Sequence, residues 1–283
     1  MIDLVLFDID NTTIPLGAKV APRRVVNSVH LAHASGLHIG PGTGRTPFEV
    51  AQLYDHDEHC YATGIMANGK IIKVDGRIVE KHVVDIELAR RVSEVVSQFE
   101  GCFTCAYPLD NRDRNNSYVV GTRDQEVLAH YIKKVSFHPI PVDDFPELEI
   151  LNLTIGVPGD QDLLDRVITA VDAEVDEIDP VSPFDGWIDA NLHGVNKASG
   201  FRSLIDYMGL APEQTLFFGD GGNDLQIMAE TPNAVAVANA VSEVRDAARY
   251  HVGSCEDFGV AVALDQLVAA QAKGALPAFM AGV

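Results

Sequence analysis

Leu4-Val5-Leu6-Phe7-Asp8-Ile9-Asp10-Asn11-Thr12 is the stretch from which the rest of the chain is read. Four apolar residues in an unbroken run, with no polar residue alternating between them, mark a short strand covered on both faces, as in a parallel sheet. Two carboxylates follow at once. Side chains two apart in an extended segment share a face, so Asp8 and Asp10 can point together beyond the strand's end while Ile9 turns back to the core. Working outward, the pattern from about Pro22 to Ser35 predicts a helix ended by Gly36, and Leu37 to Ile39 a second strand. A further helix from about Pro47 leads to a third candidate strand, Tyr61 to Met66. This alternation predicts β-α-β units and a doubly wound parallel sheet, whose ligands bind beyond the carboxyl ends of its strands.

The pattern changes after Asn68-Gly69. Lys70 to Val74 and Arg77 to Val79 flank Asp75-Gly76, a pair that favours a tight hairpin turn. From about Lys81 to Phe184 the chain reads as an α+β mixture: helices at Asp85 to Phe99, Asp124 to Val135 and Gln161 to Val171, with strands near Phe103, Tyr118 and Ile150 to Val157. The buried-strand signature then returns at Thr215 to Phe218 and at Ala234 to Val237, each followed by a helical segment, Asp224 to Ala229 and Ser242 to Ala248. The expectation is an α/β core split in sequence, residues 1–80 with 185–283, around an inserted α+β module, residues 81–184.

Chemistry is expected where the buried strands end. Two neighbouring carboxylates at Asp8 and Asp10 repel each other unless a cation joins them. Mg2+ suits the position, being a hard ion that takes one or two carboxylates, waters and phosphate oxygens. Gly219-Asp220-Gly221-Gly222-Asn223-Asp224 follows its own strand in the same way, and its carboxylates could approach the same ion from next door. Thr43 in Gly42-Thr43-Gly44-Arg45 and Lys197 at the start of the helix Ala198 to Met208 complete a phosphate site, offering a hydroxyl, backbone N–H groups and an ammonium.

These segments, in this order, resemble the haloacid dehalogenase superfamily and within it the Cof-type sugar-phosphate phosphatase branch. The resemblance covers nearly the whole chain. It takes in Asp8 and Asp10, Thr43-Gly44-Arg45, Asn68-Gly69, Gly194-Val195-Asn196-Lys197, Gly219 to Asp224, and the tail segments Asn239-Ala240 and Asp257-Phe258-Gly259-Val260-Ala261. It implies a Rossmann-like catalytic core with a substrate-reading cap domain, Asp8 as nucleophile and Asp10 as general acid and base. It further implies Thr43, Gly44 and Lys197 on the transferring phosphoryl group, and Mg2+ on Asp8, the backbone carbonyl of Asp10 and Asp220. Asn223 and Asp224 would support the metal's water or orient Lys197. The implied reaction is hydrolysis of a small phosphorylated metabolite through an aspartyl-phosphate. One departure stands at Asn11, where family members usually carry glycine. Asparagine tolerates a left-handed backbone better than other non-glycine residues, so the turn is expected to survive.

Composition narrows the alternatives. Against 41 acidic residues the chain has 21 basic ones, a formal charge of -20 that repels nucleic acid and anionic membrane at long range. No apolar run approaches a membrane span, and the N-terminus lacks the basic start and apolar stretch of a signal peptide, so a cytoplasmic protein is expected. Neither motif nor composition specifies an oligomeric state. Cys60, Cys102, Cys105 and Cys255 fit free thiols in a reducing compartment. Cys102 and Cys105 would face opposite sides of a strand, so no zinc or redox pair is expected there. The Asp55 to Cys60 segment has the residue types of a metal site but reads as a solvated connection. Arg112 and Arg114 sit in a polar loop that could face an anionic substrate, and the lone Trp187 reads as a packing residue near the junction of insert and core. Two competing activities keep the same aspartates, a sugar phosphomutase and a non-enzymatic phospho-acceptor or sugar-phosphate sensor. The absence of any membrane span argues against an ion-pumping ATPase.

Overall fold

The computed structural model describes residues 1–111, 116–135 and 138–281. The chain divides into two compact units, Met1–Lys81 with Asn196–Val283, and His82–Val195.

The first unit is built on a five-stranded parallel sheet in the order Tyr250–Val252, Ala234–Val237, Thr215–Gly219, Leu4–Phe7, His38–Pro41. Leu4–Phe7 lies inside the sheet, flanked on both sides, and all four of its side chains are fully buried, each worth roughly 1.5–3 kcal/mol relative to exposure. It pairs in parallel with both neighbours, Leu4 opposite Thr215 on one side and His38 on the other. The chain therefore leaves Leu4–Phe7 first toward one edge and later resumes toward the other. That reversal places a topological switch point between Leu4–Phe7 and Thr215–Gly219, where a doubly wound sheet opens a crevice at its carboxyl ends. The strand Tyr250–Val252 and the closing helix Gly259–Gln271 extend this core beyond what the sequence reading assigned.

The segment expected as a third parallel strand takes a different partner. Only Gly64–Met66 is extended, and it pairs antiparallel with Ile71–Val74 in a three-stranded ribbon completed by Arg77–Lys81. Ala67–Gly69 reverses the chain in one short turn with Ala67 and Asn68 at positive φ, and strands joined by so tight a reversal pair antiparallel. A single parallel bridge, Gly42 to Ile65, still ties the ribbon to the end of the sheet. The Asp75-Gly76 hairpin turn forms as expected, with both residues at positive φ, 48° and 81°.

The second unit is a six-stranded sheet in the order Ile178–Phe184, Trp187–Leu192, Ile150–Gly156, Phe103–Pro108, Asn116–Val120, His138–Pro141. Helices Ile86–Val96 and Gln161–Glu174 pack on one face through Leu88, Val92, Val96, Leu164, Val167 and Val171. On the other face Leu128 and Tyr131 of Gln125–Val135 meet Phe103, Cys105 and Trp187. Cys102 and Cys105 belong to these opposite faces, and all four cysteines are buried and free. Trp187 packs within this unit's own core, its ring 5.4 Å from that of Tyr131. The division expected at residue 184 falls inside a hairpin whose strands, Ile178–Phe184 and Trp187–Leu192, are both in the insert's sheet, so the compact unit runs on to Val195. Arg112 and Arg114 lie outside the described residues. Among the described residues, no helix is long and apolar enough to cross a membrane.

Candidate active site

The carboxyl ends of Leu4–Phe7 and Thr215–Gly219 carry the chemistry because the chain bends sharply just beyond each. After the first strand, Ile9 turns inward and is fully buried, while its carbonyl accepts bonds from the N–H groups of Thr13 and Ile14. Asn11 adopts the left-handed conformation expected of it, φ 59°, and its carbonyl accepts from the Asn239 side-chain amide at 2.7 Å. The Thr13 hydroxyl donates to the Asp8 carbonyl at 2.8 Å, so the loop folds back on its own start. Asp8 and Asp10 consequently line one cavity of about 370 Å3 together with Thr43, Gly44, Asp220 and Asn223.

Lys197 and Asp224 are not among the residues lining that cavity. The Lys197 ammonium, 2% exposed, donates to Asp8 Oδ1 at 2.7 Å and to Asp224 Oδ1 at 2.6 Å. Asn196 places it there, capping Lys197–Met208 through a bond from the Ser199 N–H at 2.9 Å. The other oxygen of Asp224 accepts the backbone N–H groups of Asp220 and Gly221 at 3.0 and 3.1 Å. Both oxygens of Asp224 are thus committed to holding Lys197 and shaping the second acidic loop. Asp220 is held differently, its Oδ1 accepting from the Thr12 hydroxyl at 2.6 Å.

On the cavity's other side Arg45 grips Asp10 with two donors, Nε to Oδ2 at 2.8 Å and Nη2 to Oδ1 at 2.7 Å. The pair is bidentate, the strongest geometry an arginine and a carboxylate can make. It raises the Arg45 pKa, chiefly through the hydrogen bond to Asp10. Thr43 is buried, its N–H bound to the Ile65 carbonyl at 2.9 Å and its carbonyl to the Asn68 N–H at 3.0 Å. The strand Gly64–Met66, which the sequence reading placed in the parallel sheet, and the turn after it are what fix Thr43 in place.

The charge balance favours a cation. The Lys197 ammonium pairs with the buried carboxylates of Asp8 and Asp224, while the half-buried Asp220 carboxylate beside them accepts from the neutral Thr12 hydroxyl. Burial raises the Asp8 pKa to about 7, with the Lys197 charge acting the other way and Asp224 adding to the rise. Asp220 is raised too, first by burial. Burial pulls Lys197 down, but Asp8 and Asp224 together outweigh it, and the ammonium is held above its ordinary pKa. A ligand oxygen from each of Asp8, Asp220 and Asp224 can lie within 4.8 Å of the others. With Asp224 already saturated, Asp8 and Asp220 are the pair with an oxygen to spare. An all-oxygen donor set with excess negative charge fits Mg2+.

The haloacid dehalogenase-like hydrolase family matches this chain over residues 5–264. The chain belongs to that family. Among its relatives, a Bacillus subtilis (strain 168) protein with the provisional name phosphatase YxeH is 27% identical over 277 residues, spanning 96% of this chain and all of that one. A crystal structure from Eubacterium rectale superposes with a TM-score of 0.81 at 21% identity, covering 93% of this hydrolase and 98% of that chain. BT4131, described as a HAD subclass IIB sugar phosphatase, gives a TM-score of 0.69 at 22% identity over 93% and 98% of the two chains. The family bears out the resemblance read from Asp8, Thr43, Lys197 and Asp220. Two residues whose side chains bond the site's carboxylates went unassigned in the sequence reading. Arg45 was visible next to Thr43-Gly44, but nothing in a linear chain says that its guanidinium turns toward Asp10. Thr12 likewise stood two residues after Asp10, its bond to Asp220 depending on two strands being neighbours.

Proposed function

We propose that this hydrolase is a phosphatase releasing inorganic phosphate from small phosphorylated metabolites, sugar phosphates foremost, in the cytoplasm. The observation that supports the reading best is the convergence of Asp8, Asp10, Thr43 and Asp220 on one cavity while Lys197 bonds Asp8. In this reading Asp8 attacks the phosphorus and becomes an aspartyl-phosphate. The leaving oxygen departs with a proton from Asp10, and water deprotonated by Asp10 then hydrolyses the intermediate. Lys197 and Arg45 neutralise charge at the nucleophile and at its proton partner. Asp10 can take up or give a proton only when one of its Arg45 bonds loosens, which makes Arg45 a positioning residue for that step. Thr43 and Gly44 would receive phosphoryl oxygens. Mg2+ would be held by Asp8, Asp220 and the Asp10 carbonyl, with Asn223 at its periphery, and when bound it supplies charge stabilisation to the phosphoryl group. The inserted unit would act as the cap that selects the leaving group, a reading that rests on the family.

A phosphate-release screen over a metabolite panel tests this. Wild type should release phosphate with Mg2+ and lose activity with chelator, and Asp8→Asn should fall below about a thousandth of wild type. An isomerised hexose phosphate in place of free phosphate would instead indicate a mutase, and equal release by Asp8→Asn would remove Asp8 as nucleophile.

A further inference from the structure

Asp57, His59 and Cys60 read from sequence as part of a solvated connection, but the fold brings the helix Arg23–Ala34 against them. His30 Nε2 lies 2.7 Å from Asp57 Oδ2, and one ligand atom from each of His30, Asp57 and Cys60 lies within 4.8 Å of the others. Cys60 is fully buried, while the side chains of His30 and Asp57 are 44% and 27% exposed, so the thiol closes the inner side and the imidazole and carboxylate leave an approach from solvent. Two further imidazoles stand beside them: the His59 ring is 5.9 Å from that of His30 and 5.2 Å from that of His33, centroid to centroid. Neither imidazole, of His33 or of His59, makes a hydrogen bond or ion pair among the described residues, the His33 carbonyl alone accepting from the Gly36 N–H.

We infer that His30, Asp57 and Cys60 form a second metal site, selective for Zn2+ or a similar borderline ion, with His59 or water completing the coordination. The donor set decides the class of ion. Imidazole and thiolate suit zinc, whereas Mg2+ avoids both, so this site and the all-oxygen crevice at Asp8 would not compete for the same metal. Bond lengths of about 2.0–2.3 Å around a tetrahedral zinc hold ligand atoms roughly 3.5 Å apart, and side-chain rotation by about 1 Å closes the present spread. The site would be structural. It would fasten the turn at Asp57 to Cys60 onto the helix Arg23–Ala34, and that turn leads to Thr63, whose carbonyl lies where a Cβ on Gly40 would fall, 1.8 Å away. Gly40 belongs to the strand that ends just before Thr43.

The test uses full-length protein stripped of metal and then held in excess Mg2+ so that hard carboxylate sites are filled. Titration with Co2+ should produce a thiolate-to-cobalt charge-transfer band that saturates at one equivalent and is bleached by one equivalent of Zn2+. Cys60→Ser should abolish the band. His30→Gln combined with Asp57→Asn changes two partly exposed side chains and spares the core, so it carries the test if Cys60→Ser fails to fold. That double variant should bind Zn2+ at least about tenfold more weakly, the lower end of what losing even an outer-shell partner costs. No charge-transfer band in wild type, a band that persists in Cys60→Ser, or wild-type zinc affinity in the double variant would overturn the inference.

Discussion

Lys197 neutralises two carboxylates at once, from a position where neither it nor Asp224 meets solvent. Removing one member of such a cluster leaves uncompensated buried charge, which costs far more than the pair itself contributes. Lys197→Met, close in length and apolar, should therefore lower stability by about 3–5 kcal/mol in urea titrations. An unshifted denaturation midpoint would mean that the two carboxylates do not depend on this ammonium for their compensation. At this scale the sequence showed residue types and order, which were enough to single out Asp8, Asp10, Thr43, Asp220 and Lys197 as residues that the fold brings together. It did not show orientation. Lys197 was expected on the phosphoryl group with Asp224 orienting it, and its observed partners are Asp8 and Asp224. Arg45 stood in plain view, yet its role depends on where a flexible side chain finds a carboxylate 35 residues away.

Among the turns that carry these residues, Gly69 has the narrowest tolerance. Its φ is 96°, and a Cβ there would fall 2.1 Å from the carbonyl oxygen of Asn196, the residue that caps the helix bearing Lys197. Gly76, in the Asp75-Gly76 turn, has φ 81° with nothing within 4 Å of the same atom. Gly76→Ala should cost only backbone strain, about 1–2 kcal/mol, while Gly69→Ala adds displacement of the cap and should cost about 1–3 kcal/mol more. Urea midpoints for the pair check the order, and equal losses would show that the approach to Asn196 relaxes freely. Element type was readable wherever the apolar pattern was strong, as in the unbroken run Leu4–Phe7 and the helical spacing of Arg23–Ala34. It failed where an apolar triplet such as Gly64–Met66 looks alike in parallel and antiparallel company, because pairing is decided by the connection. The hairpin Ile178–Phe184 to Trp187–Leu192 went unassigned, and Pro180 and Pro183 weaken the strand signal of its first half. The Asp185-Gly186 step was the signal that could have revealed it.

For the whole molecule the governing fact is excess negative charge, -20 overall and gathered again at the crevice. Without metal, the folded Asp8 holds its proton up to about pH 7, well above its ordinary value of 3.8, and Asp220 shifts the same way. Between those two pH values the folded state binds more protons than the unfolded one. The metal-free protein's stability from this source is therefore full below about pH 4 and is lost as the pH rises through 7. Mg2+ compensates the charge that causes the loss and binds only the deprotonated carboxylates. The rise in Tm on adding Mg2+ should thus be larger at pH 8 than at pH 5 in thermal-shift measurements, and equal rises would exclude Asp8 from the ion's ligands. By itself the sequence determined the reaction's vocabulary: buried strands that end in carboxylates, glycine-rich bends, and an insert of different texture, all properties of neighbouring residues. Only the tertiary structure decided which carboxylates remain available to a cation, that Arg45 holds Asp10, and that His30 meets Asp57 and Cys60. Those depend on side chains distant in sequence arriving within bonding range, and hydrogen bonds and ion pairs act over a few ångströms of space irrespective of the length of chain between them.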